Sequence, residues 1–236
     1  MNLLYFSLTY FIIIYSVVGY GLLFLNSTKK IYFFNNFGYA GLTGILLSIV
    51  YSYFSHFFFP HNIYHNFIYV LAGLIFFVFY YYRNIEIFKK EFKLLNIIFI
   101  VLFISIVIFK THDDFPYYHF PYSYYLTQNS ALIGIGQYNH GFRTPSSILY
   151  LNSLFYLPII KLNIIHISSV LFMGFANIVF IKKIIEQINI RKINYILIFS
   201  LLSFIFINIF FYRIAEHGTD RSAQILILIL ILNMII

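Results

Sequence analysis

Six long apolar runs, at 3–25, 37–58, 63–82, 94–109, 164–181 and 193–212, leave this chain few ways to fold. About 20 apolar residues are enough to cross the hydrocarbon core of a bilayer as a helix. A chain that is 61% hydrophobic and 9% charged has too little polar surface to cover itself in water. The expected architecture is therefore all-α, a polytopic transmembrane helix bundle of about six to seven spans in a single domain over 1–236. A seventh run, 223–236, falls short of a bilayer's width at about 1.5 Å per residue. The chain is accordingly expected to be the N-terminal portion of a longer protein.

Orientation follows from where lysine and arginine fall. Lys29, Lys30, Arg83, Lys89, Lys90, Lys93, Lys182, Lys183, Arg191 and Lys192 occupy three connections, 26–36, 83–93 and 182–192. Those ten are most of the 15 basic residues. With these connections in the cytoplasm, the N-terminus and the segments 59–62, 110–163 and 213–222 lie outside an inner (plasma) membrane. The apolar stretch 146–160 cannot cross without expelling the basic 182–192 connection, so it is expected to be an interfacial or re-entrant helix. The net charge of +8 is then mostly this bias, which argues against a nucleic-acid partner and for the lipid bilayer. The chain has no cysteine, which excludes disulfides and thiolate chemistry.

The same scheme collects polar chemistry on one face. His56, His61, His65, His112, His119, His140, His166 and His217 all fall at or near it, with Asp113, Asp114, Glu216 and Asp220. For His56, His61, His65 and His166 a plain interfacial position at a helix end accounts for the residue. Residues 110–145 of the 110–163 loop are the one long polar connection; such loops in compact proteins are usually functional or disordered, and crowding with Tyr and Phe at low net charge argues against disorder. Asp113 and Asp114 follow directly on the fourth run. Adjacent carboxylates at a headgroup interface repel each other unless a cation, a base role or a hydrogen bond uses them. After Pro121 a short helix is expected, with Phe120, Tyr124, Leu126 and Thr127 on one face. Arg143 has the planar fork that suits phosphate oxygens.

In Asp114 followed by Tyr118-His119-Phe120-Pro121, the loop resembles the first outer loop of the GT-C superfamily. The resemblance is nearest to bacterial dolichyl-phosphate-mannose-protein mannosyltransferase-like members, and Arg143-Thr144-Pro145 before an apolar segment is also similar. It implies a membrane glycosyltransferase that takes a sugar from a polyprenyl-phosphate donor at the non-cytoplasmic (periplasmic) face. On that basis Asp114 acts as general base and Asp113 assists. Arg143, Arg213 and Arg221 meet the donor phosphate, and Tyr118, His119 and His140 line the substrate. A divalent cation, Mg or Mn, would sit on Asp113, Asp114 and His112.

Other readings stay open. One is a non-catalytic subunit with a Zn or Mn site drawn from His112, Asp113, Asp114, His119, His140 and His217, although no His-x-x-x-His falls on an expected helix. Another is a transporter or flippase-like protein, against which the spans carry no charge near their centres. Gly134-Ile135-Gly136 alone is too weak to mark a nucleotide site, and Gly41-Leu42-Thr43-Gly44 is expected to serve helix packing.

Overall fold

The computed structural model describes residues 2–107, 113–191, 193–209 and 220–235, with the side chains of Asp220 and Arg221 excepted. The regular structure among them is helical: α1 (Leu3–Ser27), a short α2 (Ile31–Phe34), α3 (Phe37–His56), α4 (Ile63–Arg83), α5 (Ile85–Val107), α6 (Phe120–Gln128), α7 (Ser147–Ser153), α8 (Ile167–Asn189), α9 (Tyr195–Ile209) and α10 (Asp220–Ile235). Four of them, α1, α3, α4 and α8, are long and apolar enough to cross a membrane. The helix starts are set locally by asparagine. Asn2, Asn36, Asn62 and Asn194 each accept a backbone N–H from the first turn of α1, α3, α4 and α9 in turn, filling orphan donors that a helix start leaves open.

Close backbone approach holds α1 between α3 and α4. A Cβ on Gly44 would run into the Val17 carbonyl, and one on Gly19 into the carbonyl of Gly73. These small residues let helices meet without a hydrophobic driving force, as packing in lipid requires. Gly44→Val is expected to push α1 off α3 and lower stability by about 2 kcal/mol, read as a drop in melting temperature in detergent. Tyr10, fully buried in α1, donates to the Phe99 carbonyl of α5 (2.9 Å), and the amide of Asn208 in α9 donates to Asn177 in α8 (2.9 Å). The Tyr39 hydroxyl ties α3 to Asn233 of α10 (2.6 Å).

The two ends of the bundle differ in character. The basic connections meet at one end, where Lys182 bonds Glu91 (2.7 Å) and the Asn35 carbonyl (3.1 Å), and Asn26 reaches Tyr80 (3.4 Å). Glu91 also accepts the Phe37 N–H (3.1 Å), so one carboxylate joins α5, α8 and the start of α3. The other end carries the start of α1, the α3–α4 connection and the long loop.

Two expectations about that loop are corrected. Stretch 146–160 is not one helix: α7 stops at Ser153. The Ser153 and Tyr156 carbonyls go to the Asn66 side chain instead (2.8 and 3.1 Å), and Pro158 has no N–H to continue a ladder. A tight turn pairs Leu157 with Lys161 before α8 begins. In α6 the buried face holds Tyr122, Ser123, Leu126 and Thr127, with His119 just before it, whereas Phe120 is half-buried and Tyr124 exposed. Tyr122 and Leu126 belong to a small core with Phe142 and Leu149, and that core sets the helix rotation.

Candidate functional site

The loop-bearing end is built on histidines that sequence reasoning discounted. His56 and His61 are buried, His61 completely. The Ser153 hydroxyl donates to the Tyr150 carbonyl (2.7 Å), so its oxygen accepts from His61 Nδ1 (2.6 Å). The Ser55 hydroxyl meets His61 Nε2 (3.0 Å). The His61 and His65 rings stack at 5.1 Å, and His56 meets His61 edge-on at 5.1 Å. His65 donates from Nδ1 to Asn66 (3.0 Å) and accepts the Tyr51 hydroxyl at Nε2 (3.0 Å). His56 Nε2 donates to the Asn129 carbonyl (2.8 Å). Both ring nitrogens of His61 and of His65 are committed, so neither is a metal ligand here. The i, i+4 spacing of His61 and His65 was the one sequence signal of this cluster.

This network fastens the long loop to the bundle. His61 N–H donates to the Leu126 carbonyl (2.9 Å), and Ala131 N–H donates to the His56 carbonyl (3.0 Å). Asn66, fully buried, points its amide at the His61, Ser153 and Tyr156 carbonyls (2.7, 2.8 and 3.1 Å). Burial, then the neighbouring His56 and His65, hold His61 down at about 3, well below its ordinary 6.5. The folded protein therefore resists a proton that the unfolded chain accepts. Stability is full above pH 6.5 and falls as pH drops from 6.5 towards 3, at about 1.4 kcal/mol per pH unit. By pH 5 the expected loss is about 2 kcal/mol, and His61→Gln should flatten the pH dependence of the melting temperature over that window.

Against this support lies the sequence-predicted site. Asp113 is exposed and Asp114 half-buried. Asp114 stands directly before a π-helical turn, Phe115–His119, that runs into α6. The wide turn has a cause in the sequence. Pro121 has no N–H to give the Tyr117 carbonyl four residues back, and that carbonyl accepts from the Asn139 amide instead (3.0 Å). Asn139 also accepts the Gly141 N–H (2.8 Å), which shapes the turn His140–Phe142. Gly141 lies flat on the Tyr118 ring, where a Cβ would clash. One asparagine thus brings Tyr118, buried His119, His140 and Arg143 into one neighbourhood. His140 and Arg143 are exposed there. His112, Arg213, Glu216 and His217 lie outside the described residues, as do the side chains of Asp220 and Arg221. Among the described residues, no three His, Asp or Glu side chains are grouped to hold a metal ion.

A cavity of about 630 Å³, which composition could not reveal, is lined in part by Phe115, the residue after Asp114. Phe115 and Phe120, packed at 5.6 Å, form one wall. Leu3 and Phe6 of α1 and Ile106 of α5 form others, and His166 closes the polar end. His166 donates to the Ile106 carbonyl (3.2 Å), and burial holds it at about 4, so it is neutral at pH 7. The cavity is thus a mostly apolar recess, and Phe115 in its wall directly follows Asp114 in the chain. Comparison with protein-family models, with characterised proteins and with solved structures finds no match to this chain.

Proposed function

We propose that this chain is a membrane glycosyltransferase of the GT-C kind, moving a sugar from a lipid-phosphate donor to an acceptor hydroxyl. The observation that carries the reading is the apolar cavity bordered by Phe115, the residue after Asp114. A polyprenyl tail needs an apolar seat that ends close to the reacting groups, and this recess has that composition. Asp114 would take the proton of the acceptor hydroxyl as its oxygen attacks the anomeric carbon. The bond from that carbon to the phosphate oxygen breaks, and the lipid phosphate leaves. General base work needs a carboxylate within hydrogen-bond reach of the hydroxyl, and Asp114 is half-buried directly before Phe115 of the cavity wall. His166 is neutral, so the donor phosphate falls to Arg143, with Arg213 and Arg221 as further partners. Asp113 assists or helps to hold a divalent cation. Exposed tyrosines such as Tyr117 would stack on sugar rings.

In this reading α5, α9 and α10 cross the inner membrane with α1, α3, α4 and α8, and the basic connections face the cytoplasm. Glu86, Lys89, Lys90, Glu91 and Lys93 in the first turns of α5 would lie at the headgroup level. The test is transfer in proteoliposomes from a panel of polyprenyl-phosphate sugars, with soluble nucleotide sugars as controls. Turnover of nucleotide sugars alone, or of no lipid-phosphate sugar in the panel, overturns the reading.

A further inference from the structure

The basic end of the bundle holds a second cavity, of about 650 Å³, between the α2–α3 connection, the start of α5 and the end of α8. Its polar wall carries Lys90, Lys182 and Lys183 with Glu91 and Glu186, bordered by Asn35 and Asn189, and Leu94 and Ile185 supply an apolar side. Two of the lysines are held in place. Lys182 donates to Glu91 (2.7 Å) and to the Asn35 carbonyl (3.1 Å). Lys183 donates to Glu186 (2.7 Å), and its ammonium sits over the Tyr32 ring, 5.1 Å from the centroid.

The charge compensation around Lys183 is lopsided. Its side chain is 5% exposed, while that of Glu186 is 54% exposed. An ion pair with a solvated partner contributes little, yet a buried ammonium needs strong compensation. The buried carboxylate nearby, Glu91, is already shared between Lys182 and the Phe37 N–H. Across the cavity three ammonium groups, counting exposed Lys90, face two carboxylates. Surplus positive charge bordered by asparagines suits a phosphate group, and the apolar side beside it suits acyl chains.

We propose that this cavity binds the phosphate headgroup of an anionic phospholipid, whose chains run along Leu94 and Ile185. Basic pockets between helices at the membrane surface take such headgroups. The proposal is independent of the transferase reading, because none of these residues borders the Asp114 site.

The test is native mass spectrometry of the purified chain in neutral detergent, titrated with phosphatidylglycerol or with phosphatidylcholine of the same acyl chains. The wild type is expected to retain one phosphatidylglycerol with at least about tenfold preference. Each lysine removed should cost about fivefold, so Lys90→Gln loses about fivefold and Lys90→Gln/Lys183→Gln about 25-fold. Lys90 is exposed, so its single variant reads binding even where the double variant folds poorly. Lys29→Gln/Lys30→Gln removes two charges from the same end outside the cavity and should leave the preference unchanged. Equal retention of the two lipids by the wild type overturns the proposal, as does an equal loss in the Lys29/Lys30 control. Displacement of the lipid by millimolar inorganic phosphate would assign the cavity to a soluble anion and overturn the lipid source.

Discussion

Asp114→Asn is expected to lower sugar transfer by at least about a hundredfold while the protein still inserts and melts as the wild type does. General base catalysis typically contributes that much, and asparagine keeps the shape of the side chain but cannot take the proton. The carboxylate does not cap the turn that follows it, so helix capping is not lost with the charge. Asp113→Asn, one residue away and exposed, should cost about tenfold or less if its role is to assist. The measurement is initial transfer rate in proteoliposomes, with the melting temperature of each variant beside it. Retention by Asp114→Asn of more than about a tenth of wild-type activity would remove the base assignment.

Asn66→Leu is expected to act in the opposite way, on the scaffold and through it on activity. The substitution nearly conserves volume, so no large cavity opens. It does leave the carbonyls of His61, Ser153 and Tyr156 without their amide donor, and the Nδ1–H of His65 without its acceptor. Each buried polar group left unsatisfied costs about 1–3 kcal/mol. Partial relaxation leaves an expected loss of about 3 kcal/mol, or roughly 10 °C in melting temperature. Because Asn66 ties α4 to the segment after α7, limited proteolysis should then cut the 129–165 region faster. A melting temperature within about 2 °C of wild type would show that this network does not anchor the loop. The two variants separate chemistry from support: Asp114→Asn removes activity from an intact fold, and Asn66→Leu loosens the fold first.

Much of this architecture was legible from local pattern. Apolar runs of bilayer length marked α1, α3, α4 and α8, because length and composition alone decide whether a helix can span. The clustering of Lys and Arg in three connections foretold that these would share an end, and Lys182, Glu91 and Asn35 meet there. Pro121 in the loop pointed to a short helix, and α6 is that helix.

Other features had no local signature. The rotation of α6 depends on a small core that Phe142 and Leu149 complete from later in the chain. Residues 146–160 are apolar enough for a helix, but carbonyls drawn to Asn66, some 90 positions earlier, end it at Ser153. His56 and His61 looked like plain interfacial residues because titratable side chains are comfortable at helix ends. They are buried because serine, asparagine and backbone partners from three separate segments converge on them. Hydropathy and charge are sums over neighbouring residues, so the chain alone settles which segments are apolar enough to enter lipid and which ends gather. A hydrogen-bond network or a cavity is a product of distant pairs. The anchoring of the loop and the recess walled by Phe115 and Phe120 were therefore decided only when the helices packed.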